Sequence, residues 1–269
     1  MTRSYQEHEL SGISDDQKDF MINLCFRTLE SSLKNETLNL ESLELSREEK
    51  MLNDMRYPVF VSWYDITSGD TPDGKLKGCI GTFYEARLLE NIQKYAVLSA
   101  NDPRFIATPL TADEMDNLNC NIHILHDFRS KTSIEDWDVR EQGLVIKFED
   151  PRDVQRIQHL KEQLKLIEIG HIKPYKVQDP SEIKVREYKA TYLPGVAASW
   201  GYDKVHTLHS LIRKAGYDGP LTKELLSDLY GARTEHLGTN TGLAEGLTVY
   251  WTRHISGRDP HLVLAKKAK

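Results

Sequence analysis

The sequence predicts a mixed α/β (α+β) fold in which helices flank a mainly antiparallel sheet. Two observations favour this class: strand-like and helix-like segments are interspersed along the 269 residues, and several strand-like segments are immediate neighbours in the chain. The composition, with 39% hydrophobic and 28% charged residues, is that of an ordinary globular protein. One large domain or two small ones would fit this length.

The first predicted element is an amphipathic helix over residues 15–34. Ser14 and Gln17 form a capping-box pattern, and apolar residues follow at helical spacing. Cys25 lies on the apolar side of this helix, so we expect it in the core. Residues 35–55 are polar and are expected to form a long entry loop with a helical turn.

Two strands and a helix are predicted next. The β-branched and aromatic run at 58–64 and the segment 75–83 read as a hairpin, joined by a long turn at 68–74. A helix follows from about residue 88, and it must stop before Asn101-Asp102-Pro103 because proline disfavours helical backbone in the residue before it.

A further strand is predicted at 118–126, with Cys120, Ile122 and Ile124 on one side and Asn121 and His123 on the other. The remaining predicted elements are a strand at 143–148, a charged helix at 152–168, a loop at 170–185, a strand at 186–192, helices at 204–215 and 220–230, a glycine-rich loop at 231–246 and a strand at 247–253.

Composition argues against several classes of protein. The net charge of −6 and the lack of an aromatic-basic platform make nucleic acid the weakest partner. The three cysteines are widely spaced and the ten histidines include no HExxH, so we expect neither a metal nor a cofactor. No apolar run reaches the length of a membrane span. We therefore expect a soluble cytoplasmic protein with no membrane partner, and keep the nucleus as a second compartment.

The octapeptide LKGCIGTF, residues 76–83, holds the main candidate site. Alternation along a strand places Lys77, Cys79 and Gly81 on one face, and the Lys77 ammonium could then lower the pKa of the Cys79 thiol. Gly78 and Gly81 would let a ligand approach the strand closely. The alternative is structural: a glycine in a strand also marks a bulge or close packing, and a thiol can fill a small space.

Two further residues are candidates. Arg104, in Asp102-Pro103-Arg104-Phe105, is a fork-shaped cation able to hold a carboxylate or phosphate, or else an arginine tethered to a structural aspartate. His123 could act as a base for Cys79 if the strands pair, although a histidine on a half-solvated sheet is more often plain polar surface.

Several motifs together resemble the AMMECR domain family, named after the Alport syndrome, midface hypoplasia, intellectual disability and elliptocytosis deletion. The octapeptide is similar to the family hallmark LRGCIG(T/S)F. Five further segments resemble family motifs in the same order: Tyr57 to Trp63, Ser99 to Phe105, Ala190 to Pro194, Ser210 to Tyr217 and Trp251 to Ser256. The last of these contains TRHIS, with His254 in place of the family's tyrosine. Lys77 stands where the family usually has arginine, and His123 where it commonly has serine.

The resemblance implies a single AMMECR-type domain over 1–269, with insertions at 149–187 and 231–246. It implies a two-lobed fold, with a smaller second lobe and a cleft near the octapeptide. No reaction is assigned to the family, so we keep two hypotheses. The first is a regulatory or binding module whose partner is a protein or a small anionic ligand, with Lys77, Gly78, Gly81, Arg104 and Arg253 as binding residues. The alternative is a small-molecule or protein-modifying enzyme with Cys79 as nucleophile.

Overall fold

The computed structural model describes residues 5–69, 73–105, 107, 109–131, 136–171, 173, 176–223, 225–226, 229 and 246–259. Helices are α1 (Tyr5–Ser11), α2 (Asp15–Leu33), α3 (Arg47–Asp54), α4 (Leu88–Ala100), α5 (Pro151–Glu168), α6 (Val196–Ser199) and α7 (Lys204–Lys214). Strands are β1 (Arg56–Tyr57), β2 (Val59–Asp65), β3 (Lys75–Gly81), β4 (Ala86–Arg87), β5 (Leu118–Lys131), β6 (Gly143–Glu149), β7 (Glu187–Tyr192) and β8 (Gly246–Gly257).

The chain divides into two compact units, and each is described by itself. Unit 1 comprises residues 1–127, 240–242 and 251–269, and unit 2 comprises 128–239 and 243–250. The residues of the long strands β5 and β8 are divided between the two units, after Asp127 in β5 and after Tyr250 in β8. The mixed α/β class with antiparallel strands is as predicted. The helix predicted at 220–230 lies partly outside the described residues, and so does almost all of the predicted loop and insertion at 231–246.

Unit 1 is built on strands in the order β3-β2-β5-β8, with β2 antiparallel to both neighbours. Val59, Val61 and Trp63 alternate onto the face of β2 that packs against α2 and α4, and all three are fully buried. Cys25 and Cys120 belong to the same core, as predicted. Trp63 is a fixed point of this core because its Nε1 donates to the Ala96 carbonyl at 2.9 Å.

The described part of unit 2 has the strand order β8-β6-β7, antiparallel throughout, with α7 packed against β7. Thr207, Leu208, Leu211 and Ile212 form the buried side of α7. Val205, in the first turn of this helix, is exposed. Helix α5, inside the predicted insertion at 149–187, has no fully buried residue.

The segment predicted as an entry loop at 35–55 contains more structure than expected. A 3-10 turn occupies Leu40–Ser42, and α3 spans eight residues. The cause is a second capping box, in which Ser46 and Glu49 exchange side-chain and backbone hydrogen bonds. This pattern is legible in the sequence and was missed because the helix that follows it is short and polar.

Candidate functional site

Cys79 lies on a face of the unit 1 sheet that we call the polar face, the one opposite α2 and α4. Backbone register places Cys79 opposite Ser62, and Ser62 opposite Asn121. Residues directly opposite in antiparallel strands point to the same side. Cys79, Ser62 and Asn121 therefore form a row across three strands, while Trp63 and Gly78 face the core side.

Hydrogen bonds tie the polar face together beyond this row. The Ser256 hydroxyl on β8 donates to Asn121 Oδ1 at 2.7 Å. Asn119 Nδ2 donates to the same oxygen at 2.9 Å and lies 3.0 Å from Ser256 Oγ. Asn119 and Asn121 are buried, so these polar groups need partners within the protein. The sequence analysis placed Asn121 on this face but did not name Asn119, although polar residues alternating with apolar ones at 119–124 were a usable signal.

Asp102 connects the end of α4 to the Cys79 backbone. Its side chain is 0% exposed. The Cys79 N–H donates to Asp102 Oδ2 at 3.0 Å, and the Arg104 N–H and Nε both donate to Oδ1 at 3.0 Å. Burial raises the pKa of Asp102, but the hydrogen bonds from Arg104 and Cys79 outweigh it and hold the pKa below its usual value.

Arg104 closes this arrangement from the other side. Its Nη2 donates to the Cys79 carbonyl at 2.7 Å and also bonds Asp102. The bond to Asp102 raises the pKa of Arg104, and the nearby Cys79 sulfur contributes in the same direction. The side chain is nevertheless 53% exposed. In the described part of the chain, no partner is seen for its Nη1 group.

The same local structure occurs a second time in the chain. In Asp150-Pro151-Arg152 of unit 2, the Arg152 N–H and Nε donate to Asp150 Oδ1 at 2.9 and 3.0 Å, and Nη2 donates to Oδ2. The hydrogen bonds from Arg152 lower the pKa of Asp150 to about 2. Asp-Pro-Arg is therefore a local clamp that either unit can form. Only the copy at Asp102 holds a cysteine backbone.

Lys77 does not serve as the cation beside Cys79. Its Nζ binds Glu114 Oε1 at 2.7 Å, and its side chain is only 11% exposed. The register explains the difference: Trp63 pairs with Gly78 and Tyr64 with Leu76, so Lys77 is the extra residue of a β-bulge. Simple alternation from Cys79 to Lys77 therefore fails, and Arg104 is the cation that contacts the Cys79 backbone.

The two glycines of the octapeptide are explained by packing. A Cβ on Gly78 would lie 1.9 Å from the Ser99 carbonyl oxygen, and one on Gly81 would lie 2.2 Å from Phe60 Cγ. The space expected to be a groove for a ligand is thus filled by helix α4 at Gly78 and by an aromatic ring at Gly81. Close packing, the structural alternative stated for the octapeptide, therefore accounts for both glycines.

Tyr64 is a neighbour of Cys79 that the sequence did not point out. Burial, followed by the negative charges of Cys79 and Asp73, raises the pKa of Tyr64 to about 12. The phenol therefore stays protonated at physiological pH. It can offer a hydrogen bond at the polar face but cannot supply a base.

His123 and Arg253 are not brought to Cys79. His123 lies opposite Phe60, two strands and two residues away from Cys79, or about 12 Å between Cα atoms. Its ring instead stacks on His254 at 4.5 Å, and its Nδ1 lies 3.3 Å from Thr252 Oγ1. Arg253 lies on β8, three strands from β3, and neighbours Ile255 on the core side.

The partly buried His123 ring makes the stability of the protein sensitive to acid. Burial, helped by His254, lowers the pKa of His123 to about 3, against about 6.5 for an unfolded histidine. Between these values the unfolded chain binds the extra proton, so the free energy of unfolding should fall as pH falls, by up to about 1.4 kcal/mol per pH unit. Urea unfolding at pH 7, 6 and 5 measures this slope.

His123→Gln should flatten this pH dependence, whereas the matched change at an exposed histidine, His171→Gln, should leave it unchanged. Equal slopes for the two variants would contradict the assignment. Other groups titrate in the same range. The decisive quantity is therefore the difference between the two variants in the slope of the free energy of unfolding against pH.

Neither the cavity beside α4 nor any group of possible metal ligands among the described residues adds to this site. A cavity of about 660 Å³ in unit 1 is bordered by residues 37–45 and the outer side of α4, and none of the predicted site residues lines it. Within the described residues, no group of three histidine, cysteine or acidic side chains could hold a metal ion. The helices described above include none that is long and apolar enough to cross a membrane.

Comparison with known proteins gives a consistent family assignment. A family model described as AMMECR1 matches residues 22–232. An uncharacterised Arabidopsis thaliana protein is 32% identical over 200 residues, covering 74% of this chain and 73% of that protein. An uncharacterised Kluyveromyces lactis protein is 30% identical over 171 residues, covering 60% of each chain.

A solved structure supports the fold. The crystal structure of an uncharacterised protein from Pyrococcus horikoshii matches with a TM-score of 0.56 over 91% of this chain and 92% of that one, at 22% identity. At this level of identity the match supports the fold alone.

Proposed function

This chain belongs to the AMMECR1 family, and we propose that it is a binding module that holds the carboxylate or phosphate group of a ligand at Arg104, beside Cys79. The observation that carries this proposal is the state of Arg104. Its guanidinium is fixed on one edge by the buried Asp102 and the Cys79 carbonyl, while its other edge stays exposed. Nε and Nη2 are used in these bonds, and the Nη1 group that they hold in place carries the N–H donors left for an oxyanion.

The charges around Arg104 restrict the ligand further. Asp102 balances the charge of Arg104, and Glu114 balances that of Lys77, so the site carries little net charge. Recognition would rest on short hydrogen bonds rather than on a long-range positive field. This favours a single oxyanion group and argues against a polyanion such as nucleic acid, whose binding depends on many cations.

The test is a comparison of arginine-to-lysine variants. Compounds retained by the purified protein are identified by mass spectrometry and titrated into wild type, Arg104→Lys and Arg87→Lys. Arg87 is a matched control because its side chain is also 53% exposed and also lies near an acidic residue, Glu90. Lysine keeps the charge but loses the planar group whose bonds to Asp102 and Cys79 hold Nη1 in place, so we expect Arg104→Lys to weaken binding about 10- to 100-fold.

Arg87→Lys should bind like the wild type. Equal binding by Arg104→Lys, or the absence of any carboxylate or phosphate compound that binds the wild type, would contradict the proposal. Circular dichroism and urea unfolding of each variant separate loss of binding from loss of fold.

A second candidate function is covalent chemistry at Cys79. The observation that favours it is geometric: the Arg104 guanidinium bonds the Cys79 carbonyl at 2.7 Å, and the Cys79 side chain is partly exposed. A cation held beside a cysteine favours its thiolate form. The cation of this mechanism is then Arg104 rather than Lys77.

Alkylation by iodoacetamide near neutral pH tests this candidate. Cys79 is partly exposed, whereas Cys25 and Cys120 are buried, so Cys79 should react first. Exposure alone would also give that order, and the informative comparison is therefore Arg104→Gln, in which the reaction at Cys79 should slow several-fold. An unchanged rate in that variant would mean that the thiol is merely accessible.

A further inference from the structure

A second polar pocket of unit 1 lies on the side of the sheet opposite Cys79. It has a volume of about 460 Å³, within the range of small-molecule sites. Helix α2 forms one wall and β8 the other. The pocket is lined by Asp15, Lys18, Asp19, Ile22, Arg253, His254, Ile255 and Ser256.

Arg253 gives this pocket a buried hydrogen-bond donor without an acceptor among the described residues. Its Nε is buried and has no hydrogen-bond partner in the part of the chain that the structure describes. A buried donor of this kind lowers the stability of the folded protein by about 1 to 3 kcal/mol unless an acceptor forms a hydrogen bond with it. The positive charge of Arg253 also contributes to the lowered pKa of Asp15, which places the guanidinium near the first turns of α2.

The other charges of the pocket leave one acid available. Lys18 Nζ binds Asp15 Oδ1 at 2.6 Å, so these two side chains balance each other. Asp19, one turn along the same helix, makes no ion pair with any described residue. The pocket therefore presents one uncommitted cation, Arg253, and one uncommitted anion, Asp19.

Between these charges the pocket has an apolar floor. Ile22 and Ile255 are both buried. Strand β8 passes close to Ile22 at Gly257, because a Cβ added to this glycine would lie only 3.3 Å from the Ile22 side chain. A plain anion would meet Arg253 but be repelled by Asp15 and Asp19. A metal cation would be repelled by Arg253 and Lys18.

We propose that this pocket binds a zwitterionic small molecule, a free α-amino acid with an apolar side chain. The carboxylate would bond the Arg253 guanidinium, the ammonium would pair with Asp19, and the side chain would cover Ile22 and Ile255. The proposal assigns Arg253 to a site of its own, whereas the sequence grouped it with Arg104. It does not depend on the function proposed for Arg104.

The experiment is a titration of the full chain with L-leucine, followed by calorimetry and thermal unfolding. Two analogues each lack one charge: N-acetyl-L-leucine has no ammonium, and L-leucine methyl ester has no carboxylate. We expect L-leucine to raise the melting temperature and each analogue to bind about tenfold more weakly or worse.

Variants assign the two contacts. Asp19→Asn should lose the preference for L-leucine over N-acetyl-L-leucine, and Arg253→Gln should lose the preference over the methyl ester. Asp16→Asn, an exposed acid on the same helix that does not line the pocket, should behave as wild type. No binding of L-leucine at millimolar concentration, or binding of either analogue as tight as that of L-leucine, would overturn the proposal, and so would unchanged preferences in Asp19→Asn and Arg253→Gln.

Discussion

Replacing Asp102 with alanine is expected to lower the free energy of unfolding by about 3 kcal/mol. The carboxylate is fully buried and accepts hydrogen bonds from the Cys79 N–H, the Arg104 N–H and the Arg104 guanidinium. Alanine removes every one of these acceptors at once. The Cys79 N–H then lacks its partner, and the guanidinium keeps only its bond to the Cys79 carbonyl.

Urea unfolding of wild type, Asp102→Ala and Asp102→Asn at pH 7 measures the effect. Asparagine keeps one acceptor oxygen, so its cost should be smaller than that of alanine. The control is Glu90→Gln, which changes an exposed acid near Arg87 and should cost less than about 0.5 kcal/mol. If Asp102→Ala were as stable as Glu90→Gln, the buried clamp would have no energetic importance.

Asp102→Ala should also change the chemistry of the site. Without the carboxylate, the segment Pro103–Phe105 is tied to β3 only by the bond from Arg104 to the Cys79 carbonyl, and Arg104 loses the bonds to Asp102 that orient it. Binding by Arg104 should therefore weaken together with stability. Arg104→Lys, by contrast, is expected to weaken binding while leaving a positive charge near Asp102, so the two variants separate orientation from charge.

Much of the fold was legible in the sequence because its signals are local. The capping box at Ser14 and Gln17 defined the start of α2, and alternation on β5 put Cys120 and Ile122 in the core and Asn121 on the other face. These patterns depend only on the helical and strand periods. Tertiary context did not overrule them.

The candidate site was harder to predict because its contacts are not local. Lys77 was assigned to Cys79 by alternation, and a β-bulge ended that alternation. A glycine in the strand left a bulge open as an alternative but did not show where the bulge would lie. Its partner Glu114 is 37 residues away. The tether of Arg104 to Asp102 was foreseen as the structural alternative, since it is a contact between residues two apart, but its bond to the Cys79 carbonyl spans 25 residues.

Gly78→Ala is expected to be at least as damaging as the loss of Asp102, with a cost above about 3 kcal/mol. The new Cβ would lie 1.9 Å from the Ser99 carbonyl oxygen and 3.0 Å from the Ser99 carbonyl carbon. Both are backbone atoms at the C-terminal end of α4, so no side-chain rotation can relieve the overlap. Strand β3 and helix α4 would have to separate.

That separation reaches the site directly, since Asp102 lies three residues beyond Ser99 and bonds the residue after Gly78. Thermal and urea unfolding of Gly78→Ala should be compared with those of Gly216→Ala. Gly216 has φ +92°, but a Cβ added there would meet no described atom within 4 Å, so its substitution costs only the backbone strain, about 1 kcal/mol. If Gly78→Ala were no less stable than Gly216→Ala, the close contact between β3 and α4 would not be what requires glycine in the octapeptide. The expected order, with Gly78→Ala far less stable, would mean that this glycine serves the scaffold that positions Cys79 and Arg104, rather than a ligand.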